Sequence, residues 1–233
     1  NAMRIFRRCA SAKKIEKLKI TCNKCSKFGL QFKSENIEPN EYIEGNPNAD
    51  IWIVGLNPKN DIGHVEMRTK TDFENFDPDC HRYFNDFRKA SPKLYDNWNS
   101  GKSNIAHTDL VKCFSHTFPP PITETETNVR KAHIEIIDNC KEHLIQQLNK
   151  SRPKLIICNG SNVCWEMIKF FPPENGTDLK FVTSYIAQVE FDNGIHVFWI
   201  VLSGFIGRID DRNKRRLGKE IEEIIEIENI RID

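Results

Sequence analysis

Short apolar runs rich in Ile and Val alternate along this chain with longer segments of helical periodicity. The run at residues 49–54 is bounded by Asn-Pro on both sides and predicts a buried strand. Further strands are predicted at 105–111, 155–158, 180–188 and 195–202, and helices at 4–20, 81–90, 127–149, 161–170 and 210–227. Strands that alternate with helices predict an α/β fold, a three-layer sandwich with a mainly parallel central sheet.

The length of the chain fits one domain. Its 233 residues contain no internal repeat, low-complexity tract or long linker, so we expect a single domain over residues 1–233. Asn1 and Ala2, which precede Met3, are expected to be an expression scar. No apolar run reaches the length of a membrane span and no secretory leader is visible. We therefore expect a cytoplasmic monomer that has no membrane partner.

The cysteines indicate a metal centre. Eight cysteines in a chain expected inside the cell favour metal ligands or buried thiols over disulfides. Cys22 and Cys25 form a Cys-x2-Cys pair, which places two thiolates on one tight turn and suits a soft metal. Cys113 follows a predicted strand, and Cys140 lies in a predicted helix. From spacing alone, zinc and an iron–sulfur cluster both stay open.

The order of motifs between residues 20 and 218 resembles the uracil-DNA glycosylase superfamily, and most closely its iron–sulfur class. The motifs are the Cys-x2-Cys pair, Gly45-Asn-Pro-Asn-Ala49, Val54-Gly-Leu-Asn-Pro58, Val111-Lys-Cys113, the Pro119-Pro-Pro121 loop, Cys140 and Arg152-Pro-Lys-Leu-Ile-Ile157. The resemblance implies hydrolysis of the N-glycosidic bond of a damaged or deaminated base, uracil or a related one, in single-stranded or mismatched duplex DNA. It also implies a [4Fe–4S] cluster on Cys22, Cys25, Cys113 and Cys140, with zinc as the alternative.

The first strand-end motif would position the attacking water. Gly55 allows the chain to turn sharply, and Asn57 would hold the water through its side-chain oxygen. The Gly-x-Asn-Pro form resembles the mismatch-specific uracil/thymine glycosylases, whereas the iron–sulfur class has Gly-Glu-Ala-Pro-Gly. Asp61 is a second choice as the water activator. A role as a turn or helix-cap residue is the alternative for Asn57.

Recognition of the base would fall to the second strand. Asp109 stands where the iron–sulfur class has an Asn that bonds the uracil edge. An ionised Asp only accepts hydrogen bonds, so it fits a base edge rich in donors, such as a cytosine or adenine amine, better than uracil. Phe76, preferred to Phe73, would stack against the flipped base, and packing in the core is the alternative for each ring.

The last strand departs most from the family. Ser203 is a candidate catalytic residue: it stands where the family has a His that donates to the charge developing on uracil O2, and its hydroxyl would be a neutral, weaker donor there. Loss of such a preorganised donor typically costs about 2–4 kcal/mol. The replacements at Ser203 and Asp109 keep open a noncatalytic nucleic-acid-binding protein that retains the glycosylase fold and the metal cluster.

Two basic segments offer contacts to phosphate, although the net charge is only +1. One lies within residues 4–27. The other, at 208–219, supplies the predicted DNA-binding residues Arg208, Lys214, Arg215 and Arg216. A solvated surface is the alternative for both segments.

Overall fold

The computed structural model describes residues 18–58, 70–74, 76–80, 82–96, 98, 103–115, 117–119, 126–172, 184–191 and 196–232. Asp61 and residues 4–17 of the helix predicted at 4–20 lie outside these residues. The strands are β1 Lys19–Cys22, β2 Phe32–Ser34, β3 Glu44–Gly45, β4 Ile51–Gly55, β5 Ile105–Asp109, β6 Leu155–Asn159, β7 Ser184–Phe191 and β8 His196–Ser203. The α-helices are α1 Lys70–Glu74, α2 Arg82–Ala90, α3 Pro92–Asp96, α4 Glu126–Ser151, α5 Ser161–Phe170 and α6 Asp211–Ile227.

A six-stranded sheet forms the centre of the fold, with the strand order β3-β5-β4-β6-β8-β7. Its four inner strands are parallel, whereas β3 and β7 lie antiparallel at the two edges. β1 and β2 form a separate antiparallel pair. The predicted α/β architecture with a mainly parallel sheet is thus confirmed.

The inner strands are apolar because helices cover both faces of the sheet. Along β4, Trp52 and Val54 point into a core shared with α4 and α5, and Ile51 and Ile53 point into a core shared with α2, α3 and α6. All four side chains are fully buried. The alternation of a strand therefore places successive residues in two separate cores.

The sequence prediction was accurate for long elements and missed short ones. The predicted helix at 161–170 is α5, and the strand predicted at 105–111 ends earlier, at Asp109, where the chain leaves the sheet. The pair β1–β2, the edge strand β3 and the helices α1 and α3 have five or fewer residues each, too few for a periodic pattern. None of the helices in the described ranges is long and apolar enough to cross a membrane.

Helix α6 approaches α2 most closely at Gly218. A Cβ atom at this position would overlap the carbonyl group of Ala90, the last residue of α2. We expect Gly218→Ala to lower the free energy of unfolding by about 1–3 kcal/mol, as overpacking of a core does. Ala is about 1 kcal/mol better than Gly in an isolated helix, so helix propensity alone predicts the opposite sign. Urea denaturation measures the difference.

The matched control for this variant is Lys219→Ala, at the exposed neighbouring position on the same helix. It should leave the stability within about 0.5 kcal/mol of the wild type, the usual range for surface changes. A Gly218→Ala protein more stable than the wild type would contradict this close contact between the two helices.

Candidate active site

The ends of β4 and β5 continue beyond the sheet as two segments, 55–58 and 109–115, which we call the paired loops. The Ser115 N–H donates to the carbonyl of Pro58 at 3.1 Å, and two further backbone hydrogen bonds of 2.8 and 2.9 Å join the loops nearer the sheet. The paired loops thus lie at the carboxyl ends of parallel strands, which is where ligands bind in open α/β sheets.

Asn57 fastens one paired loop to the other. Its side-chain Nδ2 donates to the carbonyls of Pro58, at 3.0 Å, and Ser115, at 3.1 Å. Both bonds use the amide nitrogen, so the side-chain oxygen is the atom with which Asn57 would hold a water. The geometry gives Asn57 the turn-stabilising role that was the alternative, and its role in holding the water stays a prediction.

Gly55 and Asp109 are direct neighbours. They are opposite each other in the parallel register of β4 and β5. A Cβ atom on residue 55 would overlap Oδ1 of Asp109 and lie 3.2 Å from Nε2 of His107. Glycine is therefore required at position 55 by the close approach of these side chains.

A buried polar cluster surrounds the Asp109 carboxyl. Nδ1 of His107 lies 2.5 Å from Oε2 of Glu44, and the Tyr42 hydroxyl donates to Glu44 at 3.3 Å and to Asp109 at 3.5 Å. We call Tyr42, Glu44, His107 and Asp109 the acid cluster, and all four are buried. The acid cluster was not predicted from the sequence. The available signal was the spacing of His107 and Asp109, which lie two positions apart on β5 and therefore point to the same face of the sheet.

The acid cluster holds two carboxyl groups and one imidazole. Burial is the main cause that raises the pKa of Asp109 to about 6; the charge of His107 opposes this rise and that of Glu44 adds to it. Burial acts to lower the pKa of His107, but the Glu44 and Asp109 carboxylates outweigh it and the pKa is raised. The imidazole therefore carries a proton beside Glu44 more readily than a histidine in water.

This environment changes what Asp109 can recognise. Below about pH 6 the carboxyl carries its proton, and it then has one donor and one acceptor, as an asparagine amide does. From its residue type alone, Asp109 is predicted to be an ionised group that only accepts hydrogen bonds. That description holds only above about pH 6, because the cluster, rather than the residue type, sets the protonation state.

Lys112 holds the second paired loop in place. Its ammonium is 1 % exposed and donates to Oγ1 of Thr108 at 2.7 Å, the carbonyl of Asp109 at 2.5 Å and Oε1 of Gln147 at 2.7 Å. Burial lowers the pKa of Lys112 to about 7, and the negative charge of Asp109 opposes the change. The loop is thereby fixed to α4, the helix that carries Gln147.

Three of the four predicted metal ligands are in contact. The thiol of Cys140 makes hydrogen-bonding contacts with the thiols of Cys25 and Cys113, and the backbone N–H of Lys112 donates to Cys140. The hydrogen bond to Cys140 and burial raise the pKa of Cys25 well above its usual value. The hydrogen bond to Cys113 is the largest cause that raises the pKa of Cys140 to about 11.

Cys22 is half-buried and packs against the same core as these thiols. The four cysteines are all free thiols. Within the described ranges, no group of three or more His, Cys, Asp or Glu side chains is arranged around a point as metal ligands are. Cys25, Cys113 and Cys140 thus contact one another through Cys140 without surrounding a common point.

Ser203 does not present its hydroxyl to a base in this arrangement. The residue is buried, and its Oγ donates to the carbonyls of Cys158, at 3.1 Å, and Gly204, at 3.2 Å. A hydroxyl has one proton, and these carbonyls share it. The predicted role as a donor to the base is corrected accordingly: the hydroxyl stabilises the turn where β8 ends.

Phe76 also differs from its predicted role. It is fully buried in the core with α2, α3 and α6, with its ring 5.0 Å from Phe84 and 5.6 Å from Trp98. A ring packed in this way is not available to stack on a base. Phe73 lies nearer the acid cluster, 4.9 Å from the Tyr42 ring, but it too is buried.

The four residues predicted to contact phosphate differ in exposure. Arg208, Arg215 and Arg216 are exposed, the first of them in the turn after β8. Lys214 is buried, and its ammonium lies 2.7 Å from Oδ1 of Asp86. Lys214 therefore joins α6 to α2 and its ammonium is not exposed for a phosphate contact, whereas the three arginines are exposed and their contacts to DNA stay a prediction.

Comparison with known proteins places most of the site within one family. The model of the uracil DNA glycosylase superfamily matches residues 42–198, more than half of the chain. The match includes the acid cluster and both paired loops, and it excludes Cys22, Cys25, Ser203 and the basic residues of α6. No match was found among curated proteins.

The raised pKa of Asp109 makes stability depend on pH. Its ordinary value is 3.8 and its value in the fold about 6, a rise of about two units, or on the order of 3 kcal/mol. The stability from the protonated carboxyl is fully present below about pH 4 and lost as the pH rises through about 6. Asp109→Asn removes this loss. Between pH 4 and pH 8 the wild type should therefore lose about 3 kcal/mol of unfolding free energy relative to Asp109→Asn.

Denaturant titrations of the wild type and Asp109→Asn across this pH range measure the effect. Asp138→Asn, at an exposed position on α4, is the control, and its difference from the wild type should be small at every pH. A difference for Asp109→Asn that does not change with pH would show that the carboxyl is already ionised at pH 4.

Proposed function

The chain belongs to the uracil DNA glycosylase superfamily, and from this membership and the geometry of the site we propose that it excises a damaged or deaminated base from DNA by hydrolysis of the N-glycosidic bond. The observation that carries the proposal is the position of Gly55, Asn57 and Asp109 on the paired loops. The cytoplasmic location, the monomeric state and the strand form of the DNA stay predictions.

Hydrolysis of this bond requires a flipped base, groups that read its edge and a water positioned to attack the sugar. The side-chain oxygen of Asn57 accepts a hydrogen bond from the water. Its side-chain nitrogen donates to the two loop carbonyls and so stabilises the loop conformation. Asp109, whose carboxyl is buried in the free protein, would read the base edge once a base enters between the paired loops. Arg208, exposed in the turn after β8, takes the role of the donor that Ser203 does not offer.

The protonation of Asp109 sets the preferred base. Below about pH 6 its carboxyl pairs with an edge that has an N–H beside a carbonyl, as uracil and hypoxanthine have. Above that pH the carboxylate only accepts, and it favours an edge with an amine, such as that of cytosine. The base preference of one site is therefore expected to change with pH.

A [4Fe–4S] cluster on Cys22, Cys25, Cys113 and Cys140 belongs to this proposal. The contacts of Cys140 with Cys25 and Cys113, and the N–H donors of Lys112 and Asn139 beside them, support this proposal, and zinc is the alternative. The described side chains do not surround a common point, so binding would require the thiols to turn toward the metal. When bound, the cluster would cross-link the second paired loop to α4 and to the turn after β1. Its binding would release the thiol protons.

A second candidate function is binding to nucleic acid without catalysis. The observation in its favour is the Ser203 hydroxyl, which is bonded inside the protein at the position where the family has a catalytic histidine. The fold, the paired loops and the exposed arginines serve such a protein equally well, so a test of turnover separates the candidates.

Single-turnover excision tests the proposed function. The substrates are single-stranded and mismatched duplex oligonucleotides that carry uracil, hypoxanthine, xanthine, cytosine or mismatched thymine, each assayed at pH 5.5 and pH 8, which lie roughly on either side of the Asp109 pKa. We expect release of at least one base by the wild type. Asn57→Ala should reduce the rate roughly 10²-fold or more while DNA affinity changes little, because Asn57 acts on the water.

Two variants control for the loop contacts of Asn57. Asn57→Asp keeps an oxygen for the water but loses the N–H donors, so it should retain more activity than Asn57→Ala. Asn48→Ala removes an exposed asparagine from another turn and should behave as the wild type. If no base is released while DNA is still bound, the noncatalytic function is correct. A base preference that is the same at both pH values would contradict the role given to Asp109.

Metal analysis of anaerobically purified protein tests the cluster. We expect iron and sulfide, with broad absorbance near roughly 400 nm. Cys140→Ser should lose the iron, because Cys140 contacts both Cys25 and Cys113. Cys164→Ser is the control, since Cys164 is buried and its Sγ lies 3.3 Å from the carbonyl of Ser203. Stoichiometric zinc without iron would support the alternative, and protein without metal would contradict both.

A further inference from the structure

A groove of about 520 Å³ lies between α4 and α5, on the sheet face that also carries the thiols. Its walls come from the first half of α4, from α5 and from Pro119. We propose that this groove binds a stretch of single-stranded DNA next to the candidate active site, with Trp165 as the surface on which a nucleobase stacks. This inference shares one assumption with the proposed function, namely that DNA is the partner.

Trp165 is exposed in a way that the other tryptophans are not. It is 40 % exposed, whereas Trp52 and Trp98 are 0 % and 3 % exposed. Trp199 is partly buried and donates from its indole nitrogen to Glu228 at 2.7 Å. Beside Trp165 in the groove lies Ile134, which is 49 % exposed. Two large apolar side chains that line one groove mark a surface for a partner, more than scattered exposed residues do.

The charges around the ring favour a phosphate-bearing partner. Arg130 and Lys169 are exposed and line the groove from α4 and α5. Glu166 is held by Lys169 at 2.6 Å, with its own side chain only 15 % exposed, so its charge is largely neutralised where the groove opens. Because Lys169 is paired with Glu166, Arg130 supplies the positive charge beside the ring. An aromatic face next to a basic side chain is how proteins bind single strands without reading their sequence. A peptide partner would not require this pairing.

The groove is connected to the candidate active site by the chain itself. Ser115, which accepts the hydrogen bond from Asn57, precedes Pro119 in the groove wall by four positions. The ring of Phe118, next to Pro119, packs edge-on against His133 of α4 at 5.0 Å. The groove and the candidate active site are therefore near neighbours along the chain, which favours one partner for both.

Binding of a fluorescein-labelled oligothymidylate, free of any damaged base, tests the groove without requiring catalysis. The oligonucleotide should quench tryptophan emission, because Trp165 is the exposed indole in the described part of the chain. Trp165→Ala should weaken binding roughly 5- to 100-fold, the loss of one base–aromatic stack. Trp165→Phe keeps a ring, so it should retain most of the affinity and lose the quenching.

Charge variants test the phosphate contacts. Arg130→Gln should weaken binding and reduce the slope of affinity against salt by about one. Lys131→Gln removes a charge at the next position on α4, which does not line the groove, and should have less effect. Ile227→Ala removes an exposed apolar side chain, 58 % exposed at the end of α6, and should bind as the wild type. Thermal melting of each variant confirms that it is folded.

The outcomes separate this inference from the proposed function. Unchanged affinity in Trp165→Ala, with excision still observed, overturns the groove and leaves the proposed function in place. Binding that depends on Trp165, with no excision of any base, supports the groove and overturns the proposed function. Binding of an apolar peptide that quenches Trp165, when DNA does not, overturns the groove as a DNA site.

Discussion

The buried ammonium of Lys112 is the interaction on which the site depends. A charged lysine in the interior is stable only when its ammonium group is hydrogen-bonded. Here its three N–H groups donate to three oxygens, from Thr108, Asp109 and Gln147. Thr108 and Gln147 in turn bond to the carbonyl of Tyr42, at 2.7 and 2.9 Å. The end of β5, the helix α4 and the segment before β3 are thus joined through one closed polar network.

This network places two kinds of chemistry on one short segment. Residues 109–115 begin with the carboxyl of the acid cluster, continue through Lys112 and Cys113, and end at the carbonyl that holds Asn57. The backbone N–H of Lys112 reaches the thiol of Cys140 while its ammonium fixes the Asp109 carbonyl. Contacts to the thiols and to the Asp109 carbonyl are therefore made by neighbouring groups of one short segment.

The parts of the site that follow from strand geometry could be predicted from the sequence. Gly55 and Asp109 end neighbouring parallel strands, and the carboxyl ends of such strands meet at one edge. The acid cluster could not be predicted as a unit, because Glu44 lies on a two-residue edge strand whose pairing with β5 leaves no periodic signal. The roles of Ser203, Phe76 and Lys214 depended on burial, which tertiary contacts set and local sequence does not.

The acid cluster itself argues for a functional site at this edge. The cluster has two carboxyl groups and one imidazole, so one positive charge cannot balance both carboxylates. Burial raises the pKa of the Asp109 carboxyl and of the Tyr42 phenol, because it makes the charged form of each group less stable. A core that served packing alone would place apolar side chains there, as β4 and β6 do in the middle of the sheet. Groups whose pKa is shifted by burial and charge, collected where parallel strands end, are typical of sites that bind or transform a ligand. The shift toward the protonated carboxyl falls on Asp109, which lies opposite Gly55 where the paired loops begin.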